Sequence, residues 1–396
     1  MATATVHNTS AGVRRGAPAD PVATTGHYDW VLLGFVAVLV MVGLEVVFSA
    51  TFALSITEGD HAAHYLILQG QWALLGFGLM FITARIPYGV WRFLSPLMVV
   101  GAVVVLLLVL IPGLGVSSYG AARWLKLGPL PAIQPSEFVK LAVIIGVATW
   151  LSGPRERRTS LFKGILPLML FLGVVAFLIM KEPDMGTTLV VMLTATTMMF
   201  LAGVGLHYLT AIAAGGIALG MMLITSGGYR SDRLQSFLDP WSDPSGLGFH
   251  IIQLLIAMGS GGLFGLGPGA SRQKFFYVPS AQADGIFAIL GEEVGFVGCV
   301  VVLLLFAAVV YRGTRIAQRA PDRFGALLAM GIVCWIAYQT LINVAGITRT
   351  FPLTGIPIPF LSYGGSSLAA TLVAIGILLN VSRAGAPPTK APRGEG

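Results

Sequence analysis

Chemistry in this 396-residue chain is expected first at ionisable side chains inside apolar runs, because a charge at membrane depth is costly and marks a site. Glu45, Glu137, Lys140, Glu292, Glu293 and the amide Asn343 all fall there. Gln134, Glu137 and Lys140 are spaced three apart and therefore share one helix face. An ion pair between helices and a working polar site are both compatible with them. Outside the apolar runs, Arg123, Lys126, Lys181, Arg230, Arg233, Arg272, Lys274 and Arg349 collect in loops rich in Gly, Pro and polar residues. Such positives attract an anionic ligand such as a diphosphate. The glycines of GSGGLFGLGPG, 259–269, permit tight turns, but no Walker pattern follows them. Ala288, Gly291, Gly295 and Gly298 form a face without bulk, suited to close helix packing.

The elements that position these residues are membrane helices. The chain is 56% hydrophobic and 10% charged, with a mean hydropathy of +0.84; soluble domains carry about 25% charged residues. The net charge of +7 is therefore a matter of loop placement and does not point to nucleic acid. Spanning a bilayer takes about 20 apolar residues. Ten segments qualify: 30–54, 65–84, 92–111, 133–152, 163–180, 187–204, 207–225, 287–311, 325–345 and 363–382. The fold class is all-α and polytopic. One long loop, 226–285, separates segments 7 and 8 and shows no obvious regular structure; segments 6 and 7 are expected to pair as a tight hairpin around 203–207.

With the N-terminus inside, fifteen of the 24 Lys and Arg residues lie in inner segments, eight in outer loops and Lys140 within a helix. Both termini are then cytoplasmic and the 226–285 loop is extracytoplasmic. Residues 1–29 and 384–396 read as disordered cytoplasmic tails flanking a membrane domain over 30–383. No cleavable signal is visible. Cys299 and Cys334 lie in apolar runs and suit packing, not a disulfide or a zinc site. The ionisable residues share the outer halves of their helices, which predicts a polar chamber open to the outside and not a transporter's midplane site. Glu45 and Lys140 both fall roughly 10–14 Å below the surface, so the two are expected to pair, with Glu137 as the competitor.

Five stretches then carry a resemblance: GAARWLKLGPLPAIQPSEFVKL (120–141), KEPDMGTTL (181–189), the long run from Arg233 to Gly298, PLTGIPIPFLSYGGSSL (352–368) and, more weakly, DWVLLGFVAVLVMVGLEVVFSAT (29–51). Together they span almost the whole chain and resemble the SEDS family (shape, elongation, division and sporulation), with FLDPWSDP and SRQKFFYVP leaning toward its division branch. The resemblance implies a peptidoglycan glycosyltransferase in the bacterial cytoplasmic membrane. Its substrate would be lipid II. Its partners would be a class B penicillin-binding protein, which is a transpeptidase, and other divisome membrane proteins.

In that resemblance Asp284 holds the position of the family's essential aspartate. The family pattern's Pro-Glu pair, its Thr before the aspartate and its Phe after it are replaced here by Pro279-Ser280, Ala283 and Gly285. Asp284 is accordingly expected to be the catalytic base, facing an outward cavity lined by Arg123, Glu137 and Lys140; capping the following helix is the alternative for an Asp at that place. Arg123 and Lys140 are candidate diphosphate contacts, Trp124 a sugar or lipid platform, and Glu137, Lys181 and Ser366 further substrate-binding candidates. No metal site is expected, although a divalent cation on the diphosphate is compatible with this pattern. A lipid II flippase, an elongation-type polymerase and a non-catalytic scaffold are the competing readings.

Overall fold

The computed structural model describes residues 26–118, 121–126, 132–225, 229–275 and 277–385. The expected tails lie outside the described residues, except for 26–29 and 384–385. The chain forms a multi-pass helical bundle. Helices α1 (Trp30–Thr57), α2 (His64–Arg85) and α3 (Tyr88–Val109) are followed by a hairpin of β1 (Gly115–Ser118) and β2 (Ala121–Leu125). Then come α4 (Pro135–Leu151), the short α5 (Glu156–Thr159), a π-turn leading into α6 (Leu166–Lys181), α7 (Met185–Leu201) and α8 (Leu206–Thr225). After α9 (Tyr229–Leu238) and α10 (Phe249–Ser260), the chain ends in α11 (Ile286–Arg319), α12 (Arg323–Ile347) and α13 (Gly365–Ala384).

Each of the ten expected segments falls on a helix. Seven helices among the described residues are long and apolar enough to cross a membrane; α4, α7 and α8 hold the other three segments. Segments 6 and 7 meet at a turn through Gly203, whose φ of +81° suits glycine. The all-α reading of the fold holds, with one small two-stranded hairpin, β1–β2, added after α3. One expectation needs correction. The long 226–285 loop contains two helices. Its FHIIQLLIAMGS run makes α10, which at about 1.5 Å per residue is too short for a hydrocarbon core of about 30 Å and packs against α11 instead.

The centre of the bundle is α12 and α13, whose apolar windows are 72% and 83% buried, against 22% for the peripheral α3. Glycines set the closest approach of α13 to α2. A Cβ on Gly376 would lie 2.1 Å from Thr83 Oγ1 and 2.3 Å from the Met80 carbonyl. Polar side chains pin both ends of that contact: Asn380 Nδ2 donates to the Ala84 carbonyl (2.8 Å) and Gln69 Nε2 to that of Ser362 (3.2 Å).

At one end of the bundle, Asp29 caps α1 and pairs with Arg312 (2.7 Å). Asp322 caps α12 there and accepts from Tyr88 (2.9 Å), while Arg323 donates to the Ala202 carbonyl (2.7 Å). The opposite end holds β1–β2, the 182–184 turn, Asp284 and the 352–365 segment.

Candidate functional site

Three clusters converge on that opposite end. The first surrounds Asp284, immediately before α11. It does not cap the helix: the N-cap is Gly285 and no side chain caps it. The carboxylate is buried and its Oδ1 has no hydrogen-bond partner. Burial pushes its pKa upward, opposed by the nearby charges of His250 on α10 and Arg233 on α9. A Cβ on Gly355 would lie 3.6 Å from Asp284 Oδ2 and 3.7 Å from Arg233 Nη2, so the backbone here packs against both groups. Its φ of +74° is also one that L-residues avoid.

The second cluster is the buried pair expected on α4. Lys140 Nζ lies 2.9 Å from Glu137 Oε1, and the two side chains are 3% and 1% exposed. Lys140 also donates to Gln339 Oε1 (2.6 Å) and sits 4.9 Å from the Trp335 ring centroid. Gln339 Nε2 donates to the Pro357 carbonyl (2.8 Å). One turn along α12, Asn343 Nδ2 donates to the carbonyls of Ile356 (2.7 Å) and Asp284 (3.0 Å). Lys140 is thus tied to Asp284 through one face of α12 and the 356–357 backbone. No hydrogen bond joins Asp284 directly to Arg123, Glu137 or Lys140. The expected pairing of Glu45 with Lys140 does not occur: Lys140 is taken by its own helix neighbour, and the charges that act on Glu45 are Glu293 and Lys274.

The third cluster is built on β2. Arg123 Nε donates to the Glu182 carbonyl (3.0 Å), and its Nη2 donates to that of Pro183. Asp184 caps α7 through the Thr187 amide (3.0 Å). The Gln134 amide donates to Ser366 Oγ (3.3 Å), which brings the start of α13 to the start of α4. Glu182 is fully buried, both its oxygens lack partners, and burial with the nearby Asp184 pushes its pKa up to about 8 against the opposing effect of Arg123. Lys181 is exposed at the end of α6, with Nζ 5.4 Å from the Phe177 ring centroid. Trp124 is half-buried on β2. Beside this cluster an apolar groove of about 430 Å³ opens between α3 and α4, lined by Met98, Ala102, Val105, Leu125, Phe138 and Val139 among others.

Glu292 and Glu293 do not face this site. Glu292 accepts from the amides of Arg272 (3.0 Å) and Gln273 (3.2 Å). Glu293 pairs with Lys274 (3.2 Å) and accepts from Ser49 of α1. Gly295 is not part of a helix-packing face, as its spacing suggested. It breaks α11 at φ +69°, and the 261–267 loop docks into the gap through Leu266 N to Glu292 O and Phe296 N to Gly262 O. His250, Ser49 and Ser271 belong to these clusters and were not singled out from the sequence; Arg233 and Lys274 were read there only as loop positives for an anionic ligand, not as neighbours of Asp284 and Glu293. The only hint was that two adjacent buried glutamates require donors. Among the described residues no three His, Cys, Asp or Glu side chains converge to hold a metal ion.

Comparison with known proteins agrees with this architecture. The family model for cell cycle proteins of the FtsW, RodA and SpoVE type matches residues 29–386. Stage V sporulation protein E of Bacillus subtilis is 43% identical over 355 residues, covering 90% of this chain and 97% of that protein. A probable peptidoglycan glycosyltransferase FtsW of Geobacter sulfurreducens is 39% identical, over 90% of this chain and 95% of its own length. A solved chain from a study of how a peptidoglycan synthase complex coordinates polymerization and crosslinking superposes with a TM-score of 0.71 at 29% identity, covering 90% of this chain and 98% of that one.

Proposed function

The chain belongs to the FtsW, RodA and SpoVE family of cell cycle proteins, and from that premise we propose that it is a peptidoglycan glycosyltransferase that joins lipid II units during cell division. The supporting topology is ten spans, both termini cytoplasmic and the Asp284 end of the bundle facing outward, as the distribution of Lys and Arg favours. The observation that carries the reading is Asp284: a buried carboxylate with one oxygen unpartnered, set between the 355 backbone, Arg233 and His250.

The acceptor sugar's 4-hydroxyl attacks the anomeric carbon of the donor. Asp284 takes the hydroxyl proton as the new C–O bond forms. The bond from the anomeric carbon to the lipid diphosphate breaks on the opposite side, inverting the configuration, and the electron pair leaves on the diphosphate. The exposed Lys181 is the cation offered to that leaving group, with Arg123 adding its charge while it holds the 182–183 carbonyls; Trp124 and Ser366 are further substrate contacts at the same end of the bundle. The apolar groove between α3 and α4 suits the lipid chain, because it adjoins the strand that carries Arg123. Lys140 and Glu137 act as a strut: the ammonium is held by Glu137 Oε1 and Gln339 Oε1, and Gln339 in turn holds the Pro357 carbonyl in the segment next to Asp284.

A class B transpeptidase is the expected partner, with other divisome membrane proteins around the pair. The test is the purified full-length protein with its cognate transpeptidase, given lipid II. Glycan strands on a gel support the reading. Lipid II crossing proteoliposome membranes without strand formation would instead favour a flippase, and neither activity would favour a scaffold.

A further inference from the structure

The group closest in kind to a helper for Asp284 is one that no motif points to. His250 lies in the first turn of α10, and Leu254, one turn further along the same face, is one of the two side chains that a Cβ on Gly285 would meet, at 3.3 Å beside Val278 at 3.0 Å. That face therefore packs on the residue next to Asp284. His250 Nε2 is buried without a hydrogen-bond partner, and so is Asp284 Oδ1. Two such orphans beside each other are rare in a folded interior, where nearly all buried polar atoms are paired. Arg233 of α9 is the other charge near both, and its Nη1 donates to the Leu353 carbonyl (3.1 Å); Asn343 of α12 donates to the backbone carbonyls of Asp284 and Ile356.

We propose that His250 is a positioning residue for the polymerisation step, its imidazole facing the Asp284 carboxylate and, when protonated, holding that carboxylate in the ionised form that accepts the acceptor's proton. This rests on the glycosyltransferase reading. Burial is the largest influence on both groups, raising the Asp284 pKa and lowering that of His250, where Arg233 acts in the same direction; the Asp284 charge works against this on His250, and the His250 charge on Asp284. Arg233 supplies a charge that does not change with pH, so it cannot give the pair a titration of its own. His250 therefore sets where the acidic limb of the rate profile falls. An opposite charge at close range lowers a carboxylate's pKa by about 1–3 units. Removing it moves that limb upward by about one pH unit, which is about a tenfold loss of rate below the limb and little loss above it.

The experiment pairs two measurements on the full-length protein with its transpeptidase. The first is the pH dependence of kcat and KM for lipid II polymerisation by wild type and His250→Gln, with thermal stability and transpeptidase binding as controls. The expected result is an acidic limb displaced upward with KM unchanged; an unmoved limb overturns the proposal. The second does not need activity: the His250 imidazole is titrated by NMR, assigned by its loss in His250→Gln, in wild type and in Asp284→Asn. Loss of the carboxylate should lower the imidazole pKa. An imidazole that titrates identically in both proteins overturns the proposal even where the polymerase reading stands. A displaced imidazole in a protein that makes no strands supports the pair and rejects the polymerase reading alone.

Discussion

Replacing Lys140 with methionine preserves much of the side chain's length and removes its charge. In the native protein the ammonium serves Glu137 at 2.9 Å, Gln339 at 2.6 Å and the Trp335 ring at 4.9 Å. Glu137 Oε2 already has no partner, so the substitution leaves the whole carboxylate buried and unserved. Breaking a buried pair from one side costs about 3–5 kcal/mol, and the lost cation–π contact adds to that. Lys140→Met should therefore lower the unfolding midpoint in detergent by several degrees. Glu137→Gln on the same background removes the stranded charge and should recover more than half of the loss, since replacing both partners of a buried pair is often close to neutral. The assay is thermal unfolding of wild type, both single variants and the double variant, read as a double-mutant cycle. A Lys140→Met protein as stable as wild type, or a double variant no better than the single, would refute the strut. If the strut is all that Lys140 provides, the double variant should also regain strand synthesis along with stability.

Glu182 gives a pH signature. Its pKa stands at about 8 against an ordinary 4.5, so the folded state favours the protonated form. That contribution is complete below about pH 4.5 and is lost as pH rises to about 8; the span is worth about 5 kcal/mol at 1.36 per unit. Glu182→Gln should abolish this decline, measured as unfolding midpoint between pH 5 and 9, and a parallel curve for both proteins would contradict it. Gly295→Ala forces an L-residue to φ +69° with its Cβ 2.3 Å from the Gly265 amide nitrogen. The backbone alone costs about 1–3 kcal/mol, and proteolysis of the 261–267 loop should accelerate; unchanged cleavage would show that the loop is held otherwise.

Length and hydropathy made the helices legible, because a run of about twenty apolar residues has few other solutions. The Glu137–Lys140 pair was legible for a local reason, three residues on one helix. Glu45 was misassigned because depth alone cannot say which helices are neighbours: α1 packs on α11, which carries Glu293 with Lys274 of the preceding loop paired to it. The break at Gly295 looked like a packing glycine, since only the docking of 261–267 reveals the positive φ. His250, and the place of Arg233 beside Asp284, were hidden for a related cause. They reach Asp284 from α9 and α10, which read as loop because neither is long enough to span. Arg123 was found, but its bonds to the 182–183 carbonyls depend on a β-hairpin that a helical pattern does not announce.

The central claim is that Asp284 takes the acceptor's proton, and Asp284→Asn tests it most directly, because the amide keeps the shape of the side chain and lacks the base. The measurement is strand synthesis from lipid II by the purified variant with its transpeptidase, alongside wild type at matched folding and complex formation. Loss of polymer with folding and partner binding intact is the predicted result. Strands made at near wild-type rate would contradict it and move the search for the base to Glu137.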